Sequence, residues 1–252
     1  MRSKLIDICT TADNLAMGLS QNGLQHRRYK MYTSMERALG IILSGNMYFS
    51  TGRRWNDLQD RELMSRERQY GGCYSWSTVE NIAMWMLYGA EGGKKGAMLD
   101  FPRRVMAELL SSEYIEVGSF ENGTFVTKAK LLAGQDFNIK LIDVIYSQFS
   151  NKGDKVMLTL GDEHVTVPVE RLNHADIFHK YYAWVYEREC RLIIRINEDV
   201  MMDAELPSTA RIHLSENAVR MMKDNLHRSP IFDGNCDLGK PSKLFNLVEW
   251  KL

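Results

Sequence analysis

The chain has 252 residues, with 44% hydrophobic and 25% charged side chains, which is the usage of an ordinary globular protein. Its 32 basic and 32 acidic residues balance, and this zero net charge argues against a strongly electrostatic nucleic-acid binder. The four cysteines include no Cys-x-x-Cys pair, and no apolar run approaches the roughly 20 residues of a membrane span. We therefore predict a reduced, cytoplasmic protein with one domain over residues 1–252, no zinc ribbon, no bound metal, no membrane span and no signal peptide.

Short strands and helices alternate in the first part of the chain, after a predicted short helix and loop at 1–26. Alternating side chains at 27–32 predict a strand, and Thr33 or Ser34 can cap a helix that Gly45 ends. In chain order, the next predictions are a strand at 47–51, a charged loop or loosely held helix at 52–70 that Gly71-Gly72 breaks, a strand at 73–76, a helix at 77–88 capped by Ser77 or Thr78, a Gly/Lys loop at 89–96, a strand at 97–101 and a helix at 103–110.

The middle of the chain, 113–170, is rich in predicted strands and is a possible insertion. Its last two strands are expected to pair across the turn Gly161-Asp162. The predictions from here to the end are strands from 115, at 139–146, 156–160 and 164–169, a helix at 175–182, strands at 190–196 and 211–214, a helix at 215–225 and an edge strand at 245–250. We therefore predict an α+β fold with a mixed, largely antiparallel sheet flanked by short helices.

The most informative stretch of the chain is 180–191, which leads into the apolar run Leu192-Ile193-Ile194. Alternate residues of a strand share one face, so Glu187, Glu189 and Arg191 are predicted to point the same way. Paired carboxylates can orient a hydroxyl or stabilise a developing cation, and a nearby arginine keeps one of them ionised. The same three residues are also compatible with a salt bridge at the end of a strand, which has no function beyond stability.

A second candidate is the segment that follows the strand at 47–51. Ser50 and Thr51 end this strand, and their hydroxyls can hold either backbone or a ligand. Asn56 and Asp57 come next, and these two residue types favour turns for purely local reasons. The segment therefore predicts either one wall of a pocket or an ordinary turn.

A third candidate is the aromatic and methionine stripe of the helix predicted at 77–88. Such a stripe is more often core than ligand pocket, which is the simpler interpretation of Trp85. Tyr88 stands at the helix end beside Gly89 and is the member of the stripe best placed to reach a pocket.

Taken together, these segments resemble the domain-of-unknown-function 2971 family, whose members are mostly microbial and phage-associated. The resemblance implies a fold and a site, which here includes Tyr29 and Trp184, but little about function. The chain departs from the family pattern at Leu58, where proline is usual, and at Arg53-Arg54 before Trp55. The matching segments, in the family's order, are Tyr29-Lys30-Met31-Tyr32, Phe49-Ser50, Asn56-Asp57, Cys73-Tyr74-Ser75, Met84-Trp85-Met86-Leu87-Tyr88, Gly96 to Asp100-Phe101, and Trp184 to Arg191.

The chain also resembles NAD-dependent ADP-ribosyltransferases of the arginine–serine–glutamate type. The matching residues, in order, are Arg27 or Arg28, then Ser50 and Thr51, then the Glu-x-Glu at 187–189. The resemblance implies that Glu189 holds the nicotinamide ribose as an oxocarbenium-like state forms, that the arginine holds a phosphate, and that Ser50 braces the glutamate. Gly52 replaces the third residue of the family's Ser-Thr-Ser, and the gap from Thr51 to Glu187 is unusually long.

The resemblances and the three candidates together predict one site. It comprises the catalytic residues Glu187 and Glu189, the NAD-binding residues Arg28, Tyr29, Ser50, Thr51, Tyr88 and Arg191, and the pocket residues Asn56, Asp57, Trp85 and Trp184.

Three functions are compatible with the sequence. The first is transfer of ADP-ribose from NAD to a macromolecular acceptor, as a toxin or in phage–host conflict. The second is a non-catalytic module in which the same pocket senses a nucleotide or a partner protein. The third is a metal-dependent nuclease-like effector that uses Asp57, Glu187 and Glu189, although Arg191 in the same cluster argues against a metal there.

Overall fold

The computed structural model of the chain describes residues 24–53, 55, 57–66, 68–89, 95–172, 179–200 and 206–229. Two sheets and five short α-helices make up the described part, so the predicted α+β class with a largely antiparallel sheet is confirmed. The strands are β1 (Arg28–Ser34), β2 (Asn46–Ser50), β3 (Gln69–Ser75), β4 (Gly96–Pro102), β5 (Tyr114–Glu121), β6 (Thr124–Leu132), β7 (Phe137–Asp143), β8 (Ile145–Phe149), β9 (Lys155–Leu160), β10 (Glu163–Pro168), β11 (His179–Tyr181), β12 (Glu189–Ile196), β13 (Thr209–His213) and β14 (Leu226–Arg228).

The helices are short, and three of them lie on one face of the larger sheet. No helix among the described residues is both long and apolar enough to cross a membrane. The α-helices are α1 (Met35–Ser44), α2 (Leu58–Arg66), α3 (Ile82–Tyr88), α4 (Arg103–Leu110) and α5 (Glu216–Lys223), and two 3-10 helices span Val169–Leu172 and Tyr182–Glu187.

The ten-stranded sheet divides at β3. One edge of β3 pairs with β12 along its whole length, and β12 pairs in turn with β7. The other edge of β3 pairs with two strands, with β1 at Ser75 and with β2 at Gly71. One branch therefore continues through β1 to β4 and β14, and the other through β2 to β13, β5 and β6. We call the stretch of β3 between these two pairing points, Gly71 to Ser75, the fork.

The smaller sheet has the strand order β10-β9-β8-β11. The predicted pairing of β9 with β10 across Gly161-Asp162 is confirmed, and Gly161 takes the positive φ of 64° that this turn requires. β11 pairs with β8 in parallel, which makes the architecture mixed as predicted. This sheet brings Tyr146 and Lys180 to the candidate site described below.

The two faces of the larger sheet differ in chemistry. On β12, Cys190, Leu192 and Ile194 point into the main hydrophobic core, against which α1, α4 and α5 pack. Glu189 and Arg191 alternate with them and point to the opposite face. Burial of the apolar face, at roughly 25 cal/mol per Å² of apolar surface, is what holds the strands in this register. The charged residues are thus fixed by their apolar neighbours.

Several predicted helix ends are confirmed. The hydroxyl of Ser34 accepts a hydrogen bond from the Arg37 backbone N–H at the start of α1. Gly45 ends this helix with a φ of 65°, a left-handed conformation that glycine adopts without strain. The helix predicted at 103–110 matches the bounds of α4, and the charged stretch 52–70 contains α2.

The predicted break at Gly71-Gly72 is wrong, because both glycines lie inside β3. A Cβ at Gly71 would stand 2.9 Å from the Ile193 Cδ1 and 2.9 Å from the Trp55 Cζ2. The missing side chain therefore makes room for the Trp55 indole on the strand. Glycine here serves close packing and not chain reversal.

The predicted start of the third helix is also wrong. Asn81 caps α3, and its Oδ1 accepts hydrogen bonds from the backbone N–H groups of Ala83 and Met84. The Ser77 hydroxyl instead donates to the Val79 carbonyl, so it stabilises the preceding turn.

The helix predicted at 175–182 is contradicted at its end, where residues 179–181 form β11. Three residues of parallel pairing with β8 override the local helical pattern. Residues 175–178 of that prediction lie outside the described residues, as do residues 1–23 of the helix and loop predicted at 1–26, the edge strand predicted at 245–250 and the position of Asn56.

Candidate functional site

Five charged side chains meet at the fork, on the face of the larger sheet that is opposite the main hydrophobic core. They are Asp60 from α2, Lys180 from β11, Glu187 from the second 3-10 helix, and Glu189 and Arg191 from β12. Each is at most 6% exposed, which is unusual for charged residues and requires that they be paired. We call these five residues the charge cluster.

Lys180 joins the two glutamates. Its Nζ donates to Glu187 Oε2 at 2.6 Å and to Glu189 Oε2 at 2.9 Å. Asp60 Oδ2 lies 3.8 Å from the same ammonium group. The ring of Trp184 lies beside it, with its centroid 5.1 Å from Nζ. One lysine therefore fixes the separation of the two carboxylates.

Arg191 joins Glu189 to Asp60. Its Nε donates to Glu189 Oε1 at 2.7 Å. Its Nη1 and Nη2 donate to the two oxygens of Asp60, at 2.9 and 2.6 Å, in a bidentate pair. The guanidinium carbon lies 5.4 Å from the Trp55 ring centroid. Asp60 is thereby tied to a strand that lies 131 residues later in the chain.

Neutral hydrogen bonds complete the surroundings of the glutamates. The Tyr88 hydroxyl donates to Glu187 Oε1 at 2.7 Å. The Ser75 hydroxyl donates to the Glu187 carbonyl at 2.6 Å, and the Tyr146 hydroxyl accepts from the Glu189 backbone N–H at 2.8 Å. Hydrogen bonds to Tyr88, Ser75 and Tyr146 therefore hold both side-chain and backbone atoms of the Glu-x-Glu segment in place.

The prediction that Glu187 lies on the same strand as Glu189 is wrong. Glu187 ends the 3-10 helix, and Arg188 follows in a left-handed conformation with a φ of 44°. A non-glycine residue in this region is uncommon and is held by the surrounding contacts. The Arg188 carbonyl accepts from the Trp76 N–H at 2.9 Å, which anchors the turn to the chain just after β3. The turn, and not strand alternation, brings the two carboxylates onto one lysine.

The two glutamates have opposite pKa shifts. Burial, and then the charge of Glu189, raises the pKa of Glu187 to about 7. Burial alone would also raise the pKa of Glu189, but Arg191 and Lys180 outweigh it and lower that pKa well below its usual range. Three carboxylates face two cations in the charge cluster, so one net negative charge remains when all are ionised. A proton held by Glu187 removes that excess charge.

The free energy of unfolding is expected to fall as the pH rises from about 4.5 to about 7. In this window the folded chain keeps the Glu187 proton that the unfolded chain has released, so the contribution is full below pH 4.5 and is lost through pH 7. Its full size is about 3 kcal/mol, from 1.36 kcal/mol per pKa unit. Urea unfolding of the wild type and of Glu187→Gln at pH 5, 6 and 7.5 measures it. Equal pH slopes for the two proteins would contradict the prediction.

Cys73 marks an opening in this buried region. It lies on an interior strand opposite Arg191, yet its side chain is exposed to solvent. The thiol hydrogen-bonds to Glu189, and its dense surroundings, together with the Glu189 charge, raise the pKa of Cys73 well above its usual value. Cys73 is therefore a solvent-exposed side chain next to the buried Glu189.

We expect iodoacetamide to label Cys73 in the folded protein but to label Cys190 only after unfolding. Cys190 lies fully buried on the core face, whereas Cys73 lies open in the fork. The raised pKa of Cys73 leaves little thiolate at pH 7, so its labelling rate is expected to rise about tenfold per pH unit above neutrality. Peptide mass spectrometry at pH 7, 8 and 9 measures the rates. Labelling of Cys190 as fast as Cys73 would refute this assignment of the two faces.

The structure brings five of the predicted site residues together. Glu187, Glu189 and Arg191 belong to the charge cluster, Tyr88 bonds to Glu187, and Trp184 lies against Lys180. This placement leaves their roles as catalytic or NAD-binding residues a prediction.

Three predicted site residues lie elsewhere. Tyr29 is fully buried in the main core, because it points to the opposite face of β1 from Lys30. Arg28 binds Asp100 at 3.1 Å, on the branch that leads away from β12. Ser50 lies opposite Gly71, four residues along β3 from the partner of Glu189, a separation of roughly 13 Å. Ser50 therefore does not brace Glu189, and Ser75 is the serine opposite it.

Other predicted pocket residues have local structural roles. Thr51 donates its backbone N–H to the Ser208 carbonyl. The Asp57 carboxylate accepts from the Asp60 N–H at the start of α2, as the turn interpretation of this residue predicts. Trp85 is buried in a small cluster with Tyr32, and its indole N–H donates to Glu80. These contacts account for the three residues without a ligand.

The sequence missed Lys180, Asp60, Ser75, Tyr146 and Cys73 as site residues. Lys180 begins the stretch 180–191, but the helix predicted at 175–182 does not place its side chain beside the two glutamates. Asp60 is one of several charged residues in 52–70, and no local signal separates it from the others. Their selection depends on the pairing of β3, β11 and β12, which is a tertiary property.

The geometry required for the nuclease hypothesis is not found in the described part of the chain. The described residues contain no group of three or more His, Cys, Asp or Glu side chains that could hold a metal ion. Asp57 caps a helix, and Lys180 occupies the space between Glu187 and Glu189.

Comparison of the chain with protein-family models, with curated proteins and with solved structures gives no match. The two family resemblances of the sequence therefore remain expectations, and the charge cluster is interpreted from its own chemistry.

Proposed function

We propose that this protein cleaves the nicotinamide–ribose bond of NAD and transfers the ADP-ribosyl group to a macromolecular acceptor. The observation that carries the proposal is the pair Glu187 and Glu189, held by one lysine, with pKa values shifted in opposite directions. Two carboxyl groups whose environments separate their pKa values are a recurring arrangement for acid–base work beside a charged intermediate.

In this proposal Glu189 stays ionised and stabilises the positive charge that develops on the ribose as nicotinamide leaves with the bonding electrons. Glu187, with a pKa of about 7, accepts the proton of the acceptor nucleophile as the new bond to the ribose carbon forms. Lys180 holds both carboxylates in place, and Tyr88 orients Glu187. The geometry thus provides one group for each charge that the transfer creates.

The hydrogen bonds of Glu189 are compatible with binding of a ribose hydroxyl to its carboxylate. A carboxylate offers about four acceptor positions. Four donors use them here, namely Arg191 Nε and Nη2, Lys180 Nζ and the Cys73 thiol. A thiol is the weakest of these donors, and Cys73 is exposed in the fork. A substrate hydroxyl can therefore replace the Cys73 bond without breaking the charged pairs.

The proposal is tested by incubating the full-length protein with NAD labelled on the adenosine side, with and without a cell lysate as a source of acceptors. Nicotinamide release is followed by chromatography and label transfer by gel. The expected result is release in both reactions and labelled macromolecules in the second. No release across pH 6 to 9 would reject the proposal.

A second candidate is a binding module without catalysis. The observation that favours it is the near-complete burial of the charge cluster, since fully paired ionic networks are often structural. Such a module would bind NAD or another nucleotide in the fork without releasing nicotinamide. Calorimetric titration with NAD, NADP and ADP-ribose beside the release assay separates the two functions.

A further inference from the structure

A second pair of buried charged residues lies on the same face of the larger sheet as the charge cluster. Lys30 on β1 is the cross-strand neighbour of Asp100 on β4. On its other side, Lys30 is paired with Ser75 of β3, which is in turn paired with Glu189 of β12. Residues that are directly opposite each other on adjacent strands point to the same face, so these four side chains form one row across the sheet. We call Lys30 and Asp100, which are 7% and 6% exposed, the Lys30–Asp100 pair.

The Lys30–Asp100 pair lacks hydrogen bonds in the described part of the chain. Asp100 Oδ2 accepts from Arg28, whereas Asp100 Oδ1 is buried and has no partner among the described residues. The Lys30 ammonium donates to the Val79 carbonyl at 3.2 Å and forms no ion pair with Asp100 there, so two of its three N–H donors remain for another group. Nδ1 of His227, on the adjacent strand β14, is likewise buried without a described partner. Buried polar atoms without partners are rare and require an explanation.

The pKa shifts of the two residues agree with these missing bonds. Burial lowers the pKa of Lys30 although Asp100 opposes the shift, and burial raises the pKa of Asp100 although Arg28 opposes it. Both shifts disfavour the charged form. The opposite holds for Lys180, where the charges of the two glutamates outweigh burial and raise the pKa. The Lys30–Asp100 pair is therefore less completely partnered than the charge cluster.

The missing bonds define the chemistry of a ligand, which needs an acceptor for Lys30 beside a donor for Asp100. A primary carboxamide has both, because its carbonyl accepts and its NH2 group donates. A carboxylate has no donor, and its negative charge is repelled by Asp100. The carboxamide is therefore the functional group that the Lys30–Asp100 pair fits.

The position of the pair indicates which part of NAD it meets. Lys30 lies two strands from Glu189, a separation of roughly 10 Å between Cα atoms that the side chains shorten. The nicotinamide ring of NAD carries a primary carboxamide and is bonded directly to the ribose that Glu189 faces in the proposed reaction. Adenine also offers a donor beside an acceptor, but the pyrophosphate separates it from this ribose.

We propose that Lys30 and Asp100 bind the carboxamide of the nicotinamide ring, with Lys30 Nζ donating to its oxygen and Asp100 Oδ1 accepting from its nitrogen. The inference rests on the proposed function and adds the residues that select the amide form of the substrate. Neither residue takes part in bond breaking. Their effect is on substrate choice, since a site built to hydrogen-bond a group discriminates strongly against an analogue that lacks it.

The experiment measures binding of nicotinamide and of nicotinic acid to the full-length protein by ligand-observed NMR titration, which needs no turnover. The wild type is expected to bind nicotinamide at least tenfold more tightly than nicotinic acid. Asp100→Asn is expected to reduce this preference at least fivefold, because the asparagine NH2 can donate to a carboxylate. The matched control is Asp143→Asn, the same change at a residue that is 8% exposed and bonds to His26, and its preference is expected to stay within twofold of wild type.

The same comparison with whole substrates gives a second measurement. The rate of ring release from NAD, relative to release from the dinucleotide that carries nicotinic acid, is expected to fall at least fivefold in Asp100→Asn and to stay within twofold in Asp143→Asn. Thermal unfolding shows whether each variant is folded, and the wild-type preference tests the inference even if Asp100→Asn does not fold.

Three outcomes would overturn the inference. They are equal binding of the two ring compounds by the wild type, binding of neither, and a preference that survives unchanged in folded Asp100→Asn. Binding of neither would mean that the Lys30–Asp100 pair holds only water. Failure of the proposed function gives a different result, in which nicotinamide binds with the expected preference but is not released from NAD.

Discussion

Nicotinamide release by a Glu189→Gln variant is expected to fall by about two to three orders of magnitude, the usual effect of removing one group that stabilises transition-state charge. Glutamine keeps the shape of Glu189 and one of its two acceptor oxygens, but it removes the negative charge that faces the ribose cation. The variant also leaves Lys180 and Arg191 facing Asp60 and Glu187, which balances the charges of the cluster. The fold is therefore expected to survive, and steady-state nicotinamide release measures the chemical effect.

The matched control is Glu121→Gln, which makes the same chemical change at an exposed residue beside the β5–β6 turn. Its activity is expected to remain within twofold of wild type. Thermal unfolding of both variants shows whether a loss of activity reflects a loss of fold. A folded Glu189→Gln protein with wild-type release would remove Glu189 from the chemistry and leave the charge cluster with a structural role.

An Arg191→Met variant is expected to lose about 3–5 kcal/mol of unfolding free energy, because it leaves buried carboxylates without their cation. The guanidinium is fully buried and joins Asp60 to Glu189 through four hydrogen bonds. Methionine fills a volume similar to that of arginine. The loss of unfolding free energy therefore reflects the uncompensated charge of the carboxylates more than the creation of a cavity. Urea unfolding at pH 7 gives the value.

The double variant Arg191→Met, Asp60→Leu provides the internal check. Removing Asp60 as well leaves Lys180 with Glu189 and the protonatable Glu187, so most of the uncompensated charge disappears. We expect the double variant to regain about half of the stability lost by Arg191→Met, since buried ion pairs can often be replaced by apolar pairs. Equal or greater loss in the double variant would mean that Arg191 acts mainly through packing.

Elements with a strong local signal were predicted close to their observed bounds. Ser34 and Gly45 delimit α1 through side-chain and backbone preferences that act within four residues. β12 was predicted from a run of apolar residues and differs by one residue at its start. In contrast, Gly71 and Gly72 carry the usual signal of a break, and only the packing of Trp55 against β3 explains why the strand continues. Prediction from the sequence is limited because contacts between residues that are distant in sequence can decide the local structure.

The candidate site shows the same limit more strongly. Glu187, Glu189 and Arg191 were selected because they lie close together in sequence, and they do meet in the structure. Tyr29 was assigned to the site although the adjacent residue Lys30 points to that face, since alternation gives two faces but not which one is buried. Partners supplied by other elements have no local signature, so their identification required the paired strands.

Asp60 precedes Arg191 by 131 residues, and this separation has a consequence during synthesis. A ribosome that adds about 5–20 residues per second completes α2 and β3 on the order of ten seconds before Arg191 is made. For most of that interval β12 has not been made to pair with this edge of β3, and neither Lys180 nor the Glu-x-Glu segment exists. The charge cluster can therefore be completed only after Arg191 has been made, long after Asp60.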